Sequence, residues 1–136
     1  MPSALNATLR TLPSCPRNGS PIGCPLFASH HPSRLSDTAL TDTIKSMAIG
    51  TGEEAFVRQQ RAIISCVENR PLLSTIRCPT MVLCGRQDQL TPLDRHQEMA
   101  AGINGATLEV VDDCGHMSSM EKPLQVNQAL RLWLAA

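Results

Sequence analysis

The 136-residue sequence has no tyrosine, two phenylalanines and one tryptophan, so it offers almost nothing on which nucleobases stack. Its 12 Lys/Arg balance 12 Asp/Glu, and a net charge of zero removes the electrostatic basis for binding nucleic acid or an anionic membrane. No apolar run approaches the ~18 residues of a membrane span. Leu5 to Leu12 is broken by Asn6, Thr8 and Arg10, which excludes a secretory signal there. The six cysteines form no Cys-x-x-Cys pair, and neither HExxH nor a Cys/His ligand spacing occurs. These absences predict a cytoplasmic protein with free thiols, no metal, and no nucleic-acid or membrane partner.

What is present is 42% apolar residue content, enough for the core of one domain. Residues 1–36 hold Arg10, Arg17 and Arg34 with no acid, and six of the ten prolines. Proline and serine at that density interrupt helices and central strands, so residues 1–26 read as irregular or disordered. An acid-free start containing Ser and Arg is shared with organellar transit peptides, but no amphipathic stripe accompanies it. A start codon placed upstream of truncated coding sequence is the preferred account.

Regular patterning begins at Ser36, a helix cap followed by Asp37 in the first turn. Leu40, Ile44, Met47 and Ala48 recur at helical spacing until Gly50 and Gly52 break the pattern. A second helix is expected from Glu53 to about Ser65, with Phe56, Val57, Ile63 and Ile64 on one face and Arg58, Gln59 and Arg61 facing away. After the break at Asn69-Arg70-Pro71 comes a short helical turn through Leu72, Leu73 and Ile76. Thr80 to Cys84 is then an apolar run without polar alternation, as in a parallel strand buried on both faces. Thr91-Pro92 marks a helix start, an N-cap followed by proline, for a helix running to about Ala101. Ala106–Val111 is a second strand, Asp112–Ser119 a loop, and Pro123 opens a last helix with Val126, Ala129, Leu130, Trp133 and Leu134 on its apolar face. Strand, helix, strand, helix defines an α/β class with a parallel sheet and a right-handed crossover.

Ligands of open α/β sheets sit at the carboxyl ends of the strands. Two such ends carry ionisable groups here, Gly85-Arg86-Gln87-Asp88 and Asp112-Asp113-Cys114-Gly115-His116. Adjacent parallel strands place both loops on one edge, so Asp88 and His116 can meet. A carboxylate bound to an imidazole fixes the ring's tautomer and stabilises the imidazolium, which makes His116 a candidate general base. Taken singly, Gly-x-x-Asp after a strand is usually an Asx turn and Gly-His an ordinary surface loop. Their order, with Glu121-Lys122-Pro123 opening a helix just after, is more specific.

Ile76-Arg77-Cys78-Pro79-Thr80-Met81-Val82-Leu83-Cys84-Gly85-Arg86-Gln87-Asp88 resembles the α/β-hydrolase segment that ends in the triad acid. Asp112-Asp113-Cys114-Gly115-His116 with Glu121-Lys122-Pro123 resembles that family's histidine loop, and Glu54 to Ile63 resembles the end of its helical cap. The resemblance covers about residues 27–136. It implies the last two strands and flanking helices of the hydrolase sheet over 70–136 and a helical cap remnant over 27–69. It also implies Asp88 as acid, His116 as base and no metal or organic cofactor. The implied substrate of the completed protein is a small ester-like molecule, cleaved through an acyl-enzyme on a serine; relatives of this fold also cleave lactones, carbon–carbon bonds, epoxides and haloalkanes.

The sequence departs from the family at the nucleophile. No Ser, Cys or Asp is framed as in Gly-x-Ser-x-Gly: Ser20 follows Gly19, but Asn18 and Ile22 fill the required glycine positions. The family places its nucleophile before the cap, hence upstream of Met1, together with the oxyanion hole. The chain is therefore expected to be inactive by itself, and the alternative is a non-catalytic remnant that self-associates through an open sheet edge.

Other candidates have plainer readings. Asp112 and Asp113 are alternative acids, but too near His116 in sequence to reach behind its ring. His30, His31 and His96 lack ligand spacing. Cys114 is adjacent in the backbone to Gly115-His116, where two side chains rarely aim at one atom. Met47, Met117 and Met120 are core filling before they are an acyl pocket. Arg86 is expected to face water.

Overall fold

A computed structural model of the protein describes residues 29–135; the segment expected to be irregular, 1–26, lies outside them. The described elements follow in the order 3-10 turn Pro32–Arg34, α1 (Thr38–Thr51), α2 (Glu53–Ile64), 3-10 turn Arg70–Thr75, β1 (Met81–Gly85), α3 (Leu93–Gly102), β2 (Thr107–Val111), α4 (Ser118–Glu121) and α5 (Pro123–Leu134).

β1 and β2 form a two-stranded parallel sheet in which Met81 pairs with Thr107 and Gly85 with Val111. With its flanking helices, this is the parallel α/β arrangement expected from the strand, helix, strand, helix pattern. Val82 and Cys84 are buried, while Met81 and Leu83 are half-buried, so one sheet face is covered more fully than the other. The central cluster is Val111, Cys114 and Val126, with Leu83 packed against it. α3 lies on β1, α5 on β2, and the turn at 70–75 on α3. At that last contact a Cβ on Gly102 would stand 2.7 Å from Leu73 Cδ1.

Several boundaries differ from the pattern reading, each for a local reason. Asp37, not Ser36, caps α1, because its Oδ1 accepts the Leu40 amide at 3.0 Å. Gly50 stays inside α1, and the break falls at Gly52, whose φ of 75° only glycine adopts freely. Pro92, not Thr91, stands before the first residue of α3, since the Thr91 hydroxyl is bonded elsewhere. Ser118 and Ser119 belong to a helical turn rather than a loop. α2 buries none of its residues, and Phe56, Val57, Ile63 and Ile64 are exposed. On α5 the buried positions are Val126 and Ala129; Leu130 and Leu134 are exposed and Trp133 is half-buried. Among the described residues no helix is long and apolar enough to cross a membrane.

Candidate functional site

The carboxyl ends of β1 and β2 are stitched together by backbone. The amide of Arg86 donates to Val111 O at 2.9 Å and that of Gln87 to Cys114 O at 2.9 Å. The Gln87 side chain returns the bond, its Oε1 accepting the Cys114 amide at 3.1 Å. Close approach explains the two glycines. A Cβ on Gly85 would lie 2.7 Å from the carbonyl carbon of Cys114, and one on Gly115 would lie 2.6 Å from the backbone nitrogen of His31. Three backbone segments are thus stacked at the sheet edge: the end of β1, the loop 112–116, and residues 30–31. Asp113, with φ of 50°, makes the left-handed turn that swings this loop back over β1.

Asp88 sits on the first loop, 6% exposed. Its Oδ1 accepts the amides of Leu90 at 2.8 Å and Thr91 at 2.9 Å. Its Oδ2 accepts the Thr91 hydroxyl at 2.7 Å and His116 Nδ1 at 2.8 Å. Four donors therefore occupy the four acceptor positions of one carboxylate. Burial pushes the Asp88 carboxyl up, but the Thr91 amide, the His116 ring and the Thr91 hydroxyl outweigh it and hold the group below the usual aspartate value.

An ionised carboxylate only accepts, so His116 Nδ1 carries its proton toward Asp88, with Thr91 Oγ1 a weaker second acceptor at 3.3 Å. In the neutral ring the opposite nitrogen, Nε2, then carries the lone pair. The His116 side chain is 38% exposed against 4% for Asp88, so the pair is anchored at the acid and open at the imidazole. Such an arrangement can take a proton at Nε2 while the carboxylate steadies the charge that results.

The remaining candidates are placed elsewhere. Asp112 pairs with Arg86 on the surface, so Arg86 does not simply face water; both are exposed, and the pair adds little stability. Burial and the Glu121 carboxylate push the fully buried Cys114 thiol up to about 11, far from a nucleophile's range. His30 is buried, His31 caps the turn at 32–34, and His96 faces Pro92 O at 3.3 Å. Among the described residues no cluster of His, Cys, Asp or Glu could hold a metal. Met117 and Met120 are half-buried and Met47 is exposed. Cys66, Cys78, Cys84 and Cys114 are free; Cys15 and Cys24 lie outside the described residues.

Sequence reasoning missed Thr91, Gln87 and Glu121. Thr91 reads as a helix cap; the signal that competes is an Asx-type turn of four residues, Asp88 to Thr91, which offers the hydroxyl a charged acceptor.

The chain belongs to the α/β-hydrolase fold family, whose sequence model matches residues 26–123. It is 38% identical over 73 residues to the 2-hydroxy-6-oxo-6-phenylhexa-2,4-dienoate hydrolase of Comamonas testosteroni, a match covering 54% of this chain and 26% of that one. It is 37% identical over 65 residues to the 2-hydroxy-6-oxononadienedioate/2-hydroxy-6-oxononatrienedioate hydrolase of Klebsiella pneumoniae, covering 48% and 23%. The chain thus spans about a quarter of the length of these curated relatives. Among solved structures, a thermophilic esterase from Thermogutta terrifontis superposes with a TM-score of 0.78 at 27% identity, over 82% of this chain and 41% of the esterase. A serine hydrolase involved in carbazole degradation shares the fold at a TM-score of 0.64 and 19% identity, over 81% of this chain and 44% of that one.

Proposed function

We propose that this chain supplies the acid and the base of a serine-hydrolase site, Asp88 orienting His116. The observation that carries the reading is the 2.8 Å contact between His116 Nδ1 and a buried carboxylate whose other acceptor positions are already filled. In the working enzyme His116 Nε2 takes the proton of a serine hydroxyl as it attacks a carbonyl carbon. It then returns that proton to the leaving group. The serine and the oxyanion donors come from sequence other than these 136 residues, which contain no Gly-x-Ser-x-Gly frame. The substrate is a small molecule cleaved at an acyl or ester-type bond. The dienoate hydrolases among the relatives favour a carbon–carbon bond next to a carbonyl as the alternative target.

A second reading rests on the sheet. Among the described residues the sheet has two strands, each with one outer edge, and those edges favour a non-catalytic piece that associates through backbone pairing. A short nitrophenyl ester separates the two readings. Without the serine no acyl-enzyme forms, but an imidazole oriented by Asp88 still gives a slow residual turnover that His116→Ala abolishes and Asp88→Asn reduces. Equal rates for all three chains assign the protein to the non-catalytic class.

A further inference from the structure

Asp88 and Glu121 are the two buried carboxylates among the described residues, and the site as described uses only the first. Glu121 is 4% exposed, and a carboxylate at that depth persists only when donors replace its water. Its Oε1 accepts the Gly115 amide at 3.1 Å and its Oε2 the His31 amide at 2.8 Å. Its backbone continues the pattern: the Glu121 amide donates to Met117 O at 2.9 Å, and its carbonyl accepts Arg34 Nη1 at 3.2 Å. Arg34 is in turn held by Asp37, the cap of α1, at 2.6 Å. On the far side of His116, the Met117 amide donates to Ser29 O at 3.0 Å. Both neighbours of His116 are therefore tied to the segment 29–37, one of them through the two oxygens of Glu121.

We propose that Glu121 is a positioning residue for His116: its carboxylate joins the Gly115 and His31 amides and thereby fixes the distance at which the imidazole reaches Asp88. This rests on the acid–base reading of Asp88 and His116. The charge matters because each oxygen must accept an N–H. In Glu121→Gln one oxygen becomes an NH2 group, which sets a donor against a donor at Gly115 or at His31 while leaving the side chain's size unchanged. The loop then loses one of its two ties to the segment 29–37, and the ring is free to turn away from Asp88.

The test is nitrogen-15 and proton NMR of the 136-residue chain, with far-UV circular dichroism to confirm folding. The wild type should show a far-downfield His116 Nδ1 proton, absent from Asp88→Asn, and ring nitrogen shifts of a single tautomer. Glu121→Gln should keep the wild-type dichroism, lose that proton signal, and show ring shifts of mixed tautomers. A folded Glu121→Gln that retains the signal overturns the positioning role and leaves the acid–base reading intact. A wild type that lacks the signal overturns both. Where Glu121→Gln does not fold, Glu121→Asp decides: it keeps the charge and both acceptor oxygens but, one methylene shorter, cannot span the Gly115 and His31 amides together. Loss of the proton signal in Glu121→Asp supports the role, and its retention overturns it.

Discussion

The carbonyl carbon of Cys114 lies 2.7 Å from the position that a Cβ on Gly85 would occupy. The obstacle is backbone, not a flexible side chain, and the loop it belongs to is pinned by Gln87 from both its amide and its Oε1. Gly85→Ala should therefore force β1 and the histidine loop apart, costing on the order of 3 kcal/mol. Urea unfolding of the purified chain measures this; a change below about 0.5 kcal/mol, the range of surface substitutions, would contradict the stacking. Gly50→Ala, inside α1 with open space around it, is the matched control and should be neutral or slightly stabilising.

Thr91 gives a second outcome. Its hydroxyl donates to a buried, ionised acceptor at 2.7 Å, and bonds of that kind contribute about 1.5–3 kcal/mol. Thr91→Val keeps the shape and removes the donor, so the chain should lose stability of that order. Thr91→Ser keeps the hydroxyl and should recover most of it. A loss for Ser with none for Val would place the effect in the γ-methyl group rather than in the bond to Asp88.

The pH dependence follows from the lowered Asp88 carboxyl. The folded chain holds the ionised form better than the unfolded chain does, so Asp88 contributes stability above its ordinary value of 3.8. That contribution disappears as pH falls through the lower, folded value. The stability difference between wild type and Asp88→Asn should shrink as pH falls below about 4. Thermal melts of both chains in that acidic range give the difference directly; one that grows there on further acidification would mean that the native carboxyl is raised, not lowered.

Thiol reactivity gives a fourth. Cys66 and Cys78 are exposed, whereas Cys84 and Cys114 are buried, with burial the leading cause that pushes both buried thiols up. Iodoacetamide at neutral pH, followed by peptide mass spectrometry, should label Cys66 and Cys78 in minutes and leave Cys84 and Cys114 unlabelled until denaturant is added. Early labelling of Cys114 would show that the core of Val111, Cys114 and Val126 opens readily.

Much of this was legible in the sequence because the informative patterns are local. The apolar run before Gly85 and the run ending at Val111 read as strands, and two parallel neighbours must place Asp88 and His116 on one edge. What escaped was set by partners distant in sequence. Glu121 reads as a charged residue in a helix opening, and nothing near it shows that it meets the amides of Gly115 and His31. Thr91 fits the statistics of a helix cap, and only the folded chain shows its hydroxyl turned to Asp88. The apolar stripe of α2 reads as core-facing, yet none of its residues is buried, because periodicity specifies a face and not what covers it.

Parallel strands sit about 4.8 Å apart and send their carboxyl ends to the same side. The outer side of Met81–Gly85, with which no strand among the described residues pairs, is therefore a directional address as well as an edge. Whatever strand docks there in parallel ends on the same side of the sheet as the Asp88 and His116 loops.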